Sequence, residues 1–139
     1  MFTLIMAPVD LAHADRLDRA LSVTADLARH YDAPVCYVAV TAAAPSELAH
    51  TPQEFQQKLD AFAAEQAAKY GHGATAKALI THDPAVDMDD ALLKAVGETG
   101  ADLVVMASHV PGVADFLMPS HGGRMASHSK ASVMVVRAD

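Results

Sequence analysis

A serine, a histidine and two glycines stand together at Ser120-His121-Gly122-Gly123, with Arg124 next. Ser120 has the side chain of a helix cap, and the glycines leave backbone N–H groups uncovered. The segment therefore reads as a helix start able to receive an anion. Arg124 then falls in the first helical turn, where its charge opposes the helix dipole. A bound anion relieves that conflict; the other reading is an ordinary capped helix with a solvated arginine. Asp10 follows an apolar run ending in Pro8 and Val9. It reads either as a hydrogen-bonding group for a ligand or as the cap of the turn that follows. Four of the eight histidines, His13, His82, His109 and His121, follow apolar runs or open a helix. They suit the polar lining of a crevice. No H-x-x-x-H pair exists, so no metal centre is expected. Ser108 or Ser120 with His109 and Asp10 has the residue types of a hydrolytic triad. No G-x-S-x-G elbow accompanies them, so no catalytic residue is assigned.

Positioning such groups requires strands that end beside one another. Residues 4–9, 35–40, 103–107 and 133–136 are unbroken apolar runs, the pattern of strands covered on both faces. Residues 74–80 form a further strand, but Thr75 and Lys77 interrupt it, as suits a sheet edge. Between the runs lie helical stretches. The first has Leu17, Leu21, Leu27, Ala28 and Tyr31 on one broad face. The second opens at Thr51-Pro52 and carries Phe55, Leu59, Phe62, Gln66 and Tyr70. The third opens at Asp83-Pro84 and carries Met88, Leu92, Ala95 and Val96. The alternation predicts a single domain over residues 1–139, an α/β fold with a five-stranded parallel sheet and helices on both faces. Ligands of such sheets bind outside the carboxyl ends of the strands, where the strand order reverses. The first and fourth strands are expected to flank that point.

The 139 residues are 52% apolar, enough for a sizeable core. The net charge of −7 with no basic run argues against nucleic acid as a partner. No apolar run reaches the length of a membrane span, and the opening residues lack a basic secretion signal, so a cytoplasmic protein is expected. Cys36 lies within an apolar run and reads as a small buried hydrophobe.

Several segments together resemble the universal stress protein family. They are Pro8-Val9-Asp10 at the first strand end, Asp83-Pro84-Ala85 after the third strand, ADLVVMASH over residues 101–109 and ASVMVVR over residues 131–137. The resemblance spans nearly the whole chain. The pattern ASH-x-P through His109 and Pro111, with Ser-x-small-small from Ser120, is most similar to the branch holding the enterobacterial F and G types. The resemblance implies a Rossmann-like sheet of order 3-2-1-4-5 and a regulatory role in the stress response. It implies an adenine nucleotide, ATP or AMP, with its base near Pro8, Val9, Asp10 and Val40. The phosphates would lie near Ala107, His109, Val110 and the start Ser120-His121-Gly122.

Nucleotide-binding members of that family carry a G-x-x-G loop, nine residues, then Gly with Ser or Thr. The matching positions here are Ala107, Val110 and Pro119, with Ser120 retained and the loop one residue shorter. Proline has no N–H for a phosphate. A second reading follows, a ligand-free dimeric interaction module; a small hydrolase is a third. The resemblance also implies a homodimer through the last strand. Its residues Val133, Met134, Val135 and Val136 are continuous and apolar, an edge that a second copy would cover.

Overall fold

Apolar runs without alternation need cover on both faces, and the fold supplies it. The computed structural model describes residues 1–108 and 121–137. Its elements are β1 (Ile5–Pro8), a 3-10 helix (Leu11–Arg16), α1 (Asp18–Tyr31), β2 (Val35–Ala42), α2 (Pro52–Tyr70), β3 (Ala74–Thr81), α3 (Pro84–Thr99), β4 (Leu103–Ala107), α4 (His121–His128) and β5 (Ser132–Val136). The strands form one sheet in the order β3-β2-β1-β4-β5, parallel at every pairing. That is the predicted order.

Successive strand residues face opposite sides, and this divides the core in two. Ile5, Val35, Tyr37, Leu103 and Val105 pack with Leu21 and Ala28 of α1 and with Phe55 and Leu59 of α2. Met6, Cys36, Val38, Val104 and Met106 pack with Leu92 and Val96 of α3 and with Met125 of α4. Cys36 is buried, as expected.

Local chemistry sets the helix ends. The Thr51 hydroxyl accepts from the Glu54 amide ahead of Pro52, and the Asp83 carboxylate accepts from the Ala85 amide ahead of Pro84. Gly71 and Gly100 end α2 and α3 at φ 74° and 77°, where a side chain would be strained. The stretch after β1 differs from expectation. A separate 3-10 helix, kinked at His13, precedes α1 because Asp10 caps a tight turn there. Strand β2 also runs past the predicted residue 40 to Ala42, because β3 pairs along it as far as Thr81.

The contact between β1 and β4 is short. The ladder covers only Ile5 with Leu103 and Met6 with Val104, whereas β1 pairs with β2 through Pro8. The amides of Ile5 and Val9 both point at β2, donating to the carbonyls of Pro34 and Val38 at 3.0 and 2.8 Å. The intervening even positions therefore face β4, and Pro8 has no N–H to offer there. At the other end Asp102 fastens the same two strands. Its carboxylate accepts from the Thr3 amide at 3.0 Å, the Leu4 amide at 3.1 Å and the Thr3 hydroxyl at 3.2 Å. Its own amide donates to the Leu4 carbonyl at 3.1 Å. Partial desolvation works against the Asp102 carboxylate, but the bonds from Leu4 and Thr3 outweigh it and hold the carboxyl below its usual range.

A carboxyl lowered in the native state stabilises the fold above its unfolded pKa of about 3.9, and that stability is lost as pH falls through the native value. Asp102→Asn should cost about 1–2 kcal/mol in urea denaturation at neutral pH. The deficit should shrink as pH falls below about 4. An equal deficit at both pH values would show that the carboxylate charge contributes nothing.

Candidate functional site

The expected site falls where β1 and β4 part. On the β1 side, Pro8 and Val9 are half-buried and Asp10 is exposed. Asp10 uses both carboxylate oxygens close to home. One accepts from the Ala12 amide at 3.0 Å, and the other meets His13 Nδ1 at 2.8 Å. The structure thus realises the capping reading of Asp10. Half of its side chain remains open to solvent.

On the β4 side, Ala107 and Ser108 are half-buried, and the Ser108 amide donates to the Val136 carbonyl at 2.9 Å. Val40 stands near the end of β2, half-buried. Its side chain packs with the α3/α4 core, whereas Val9 and Ala107 pack with the α1/α2 core. The predicted residues His109, Val110 and Ser120 lie outside the described residues, as do Pro111 and Pro119.

The start of α4 is the best-defined part of the site, and two carboxylates on α3 hold it. His121 Nδ1 lies 2.5 Å from Asp89 Oδ1, and the Arg124 guanidinium donates to Asp90 Oδ1 at 2.7 Å. Asp89 is only 7% exposed. A carboxylate at that depth needs a partner, and His121 supplies it. Asp90 meets the dipole conflict that Arg124 faces in the first turn. Its carboxylate occupies the role that the sequence reading gave to a bound anion. The Arg124–Asp90 pair is open to solvent, so its energetic weight is small.

Sequence reading had not singled out Asp89. Its signal is position: Asp89 precedes Leu92 by three residues and Val96 by seven, which puts it on the apolar stripe of α3. Asp90 carries no comparable signal.

Gly122 is buried, and its α-carbon faces β5. A methyl group there would meet Val135 Cγ2 at 2.5 Å. Close packing of α4 on β5 therefore demands a glycine at this position, independently of any ligand. Among the described residues, His13 pairs with Asp10 and His121 with Asp89, and His82 is exposed. Among the described residues no group of three His, Cys, Asp or Glu is placed to hold a metal. Two surface notches of about 220 Å³ each open elsewhere, one against Pro34 and His72 near the amino end of β2, the other beside Leu79 and Ala91.

The strand order and the reversal between β1 and β4 define a doubly wound parallel α/β domain. Residues 1–137 match the model of the universal stress protein family. The chain belongs to that family. Its fold is similar to a universal stress protein solved with cAMP, at TM-score 0.74 and 18% identity over 99% of both chains. It is similar to the Archaeoglobus fulgidus protein solved with dAMP, at TM-score 0.66 and 19% identity over 96% of both chains. An Arabidopsis thaliana family member with AMP bound matches at TM-score 0.67 and 17% identity, over 99% of this chain and 92% of that one.

The Gly122 contact generates a test. Gly122→Ala gains up to about 1 kcal/mol of helix propensity. Overpacking against a stiff valine costs about 1–3 kcal/mol. A net loss of about 1 kcal/mol is expected in denaturant titration. In Gly122→Ala/Val135→Ala the combined loss should fall about 1 kcal/mol short of the sum of the single losses. Additive losses would show that the two positions do not touch.

Proposed function

We propose that this chain is a regulatory nucleotide-binding protein of the stress response, acting in the cytoplasm, that holds AMP or ATP across the β1/β4 switch. The observation that carries this is the parting of β1 from β4 beyond Met6 and Val104, with Pro8 withholding the next amide. Three structures of the same fold with cAMP, dAMP or AMP bound support it. In this reading the base lies by Pro8, Val9 and Val40, and the open face of Asp10 meets the base or ribose. The phosphates reach Ala107, His109, Val110 and the α4 start at Ser120, His121 and Gly122. Binding is weak, because Pro119 cannot donate and the Asp10 oxygens already serve the cap. The ASH-x-P pattern supports placing the chain with the F and G types of the family.

The second reading is a ligand-free dimeric module, and one observation favours it. The cation at the α4 start is already matched by Asp90. Calorimetry separates the two readings. Millimolar AMP or ATP should give binding heat with the wild type, and Asp10→Ala should remove it while circular dichroism shows an intact fold. Loss of the cap alone costs about 1 kcal/mol of stability and leaves the protein folded. No heat from either nucleotide would discard the first reading and leave the module.

Both readings share a homodimer through β5. Strand β5 is a sheet edge, and Met134 is 41% exposed upon it. Val133 and Val135 are half-buried against the α3/α4 core, and Val136 is buried. A second copy laid along this edge satisfies its free peptide groups and covers Met134. Light scattering should give twice the 14.6 kDa chain mass. Met134→Lys should shift that mass towards the monomer without disturbing the contact of Val135 with Gly122. A wild-type monomer at every concentration would remove the interface.

A further inference from the structure

The other sheet edge is occupied by a side chain. The Gly73 carbonyl of the strand entering β3 points at β2, where it accepts from the Val35 amide at 2.9 Å. By alternation, the peptide groups of Ala74, Ala76, Ala78 and Ile80 point away from the sheet. Eight residues of β3 thus present an edge that contains no proline. Its one charged side chain, Lys77, is tied to Glu98 at 2.7 Å. Ile80, 45% exposed, adds apolar surface at its end. Long edges of this kind recruit further strands.

Gln56 of α2 sits on that edge. Its Nε2 donates to the Ala76 carbonyl at 3.2 Å, and its Oε1 accepts from the Ala78 amide at 2.8 Å. A neighbouring parallel strand makes the same two bonds, to the carbonyl of one residue and the amide two places on. The second Nε2 hydrogen goes to Asp60 Oδ1 at 2.8 Å, one helical turn along. With two acceptors against the nitrogen and a donor against the oxygen, the amide fits in one orientation only.

We propose that Gln56 closes the β3 edge against a second copy of this chain, its side-chain amide standing in for the N–H and C=O of one residue of a sixth strand, with Asp60 holding its second Nε2 hydrogen. The sheet is then left with a single pairing edge. Neither nucleotide binding nor the β5 interface enters the test, because every reading is taken relative to the wild type.

Gln56→Leu keeps the bulk and removes all three bonds. Gln56→Glu keeps the shape and removes both donors. Hydrogen exchange followed by NMR should show the Ala78 amide losing about tenfold of its protection in Gln56→Leu. Sedimentation should show the mass of Gln56→Leu rising above the wild-type mass as concentration increases. Ile80→Lys in the same background, which puts a charge on the β3 edge, should restore the wild-type mass. Gln56→Glu should show the same rise in smaller degree, and it serves as the test if Gln56→Leu does not fold. Three results would overturn the proposal: unchanged Ala78 exchange, a mass equal to wild type in folded variants at all concentrations, or excess mass that survives Ile80→Lys.

Discussion

Two rungs of backbone ladder, Ile5 with Leu103 and Met6 with Val104, join the two halves of the sheet, and beyond them the strands are no longer paired. Opposite constraints act at its two ends. At the amino end Asp102 gathers two amides and a hydroxyl from Thr3 and Leu4. At the carboxyl end Pro8 presents a nitrogen that cannot donate, so the strands are free to part. The helices confirm the division. The connections through α1 and α2 cover one face, and those through α3 and α4 cover the other. A change of face between β1 and β4 sets the two helix layers on opposite sides of the joint, the arrangement at which ligand sites of such sheets arise.

The start of α4 is held against β5 and α3. Two contacts of different kinds place it. Gly122 lets the helix backbone lie directly on Val135 of β5, and the His121–Asp89 pair ties the first turn to α3. The first sets the depth of the helix against the sheet; the second sets its position along α3.

Much of this was legible in the sequence, for a local reason. The apolar runs, the Thr51-Pro52 and Asp83-Pro84 starts and the glycines after α2 and α3 act within a few residues, and each marks an element where the structure has one. Strand order came from the family resemblance, and the edge character of Thr75 and Lys77 in β3 agrees with it. What escaped notice depends on contacts between distant residues. Gln56 looked like any polar residue on the outer face of a helix, and its role appears only once β3 lies beside it. Gly122 read as a glycine for a ligand because Val135 is thirteen positions away in the chain. Asp10 was weighed both ways; it caps through the Ala12 amide and meets the His13 ring, and half of its side chain stays open. Of the remaining site residues, His109, Val110 and Ser120 fall outside the described segments.

The electrostatics of the α4 start bear on how an anion would be received there. The chain carries net charge −7, and α3 sets two carboxylates against His121 and Arg124 in the first α4 turn. An arriving phosphate must compete with them, so its gain is the difference between its own contacts and those it displaces. The two pairs differ in what displacement costs. Arg124 and Asp90 are both open to water, and an exposed pair is worth about 0–1 kcal/mol, so the guanidinium can change partners at little expense. Asp89 is buried, and removing His121 from it would leave a carboxylate without a partner in a poorly hydrated place, at several times that cost. An anion at this helix start would therefore take Arg124 from Asp90 and leave the His121–Asp89 pair intact. Arg124 would be the adaptable contact and His121 the fixed one.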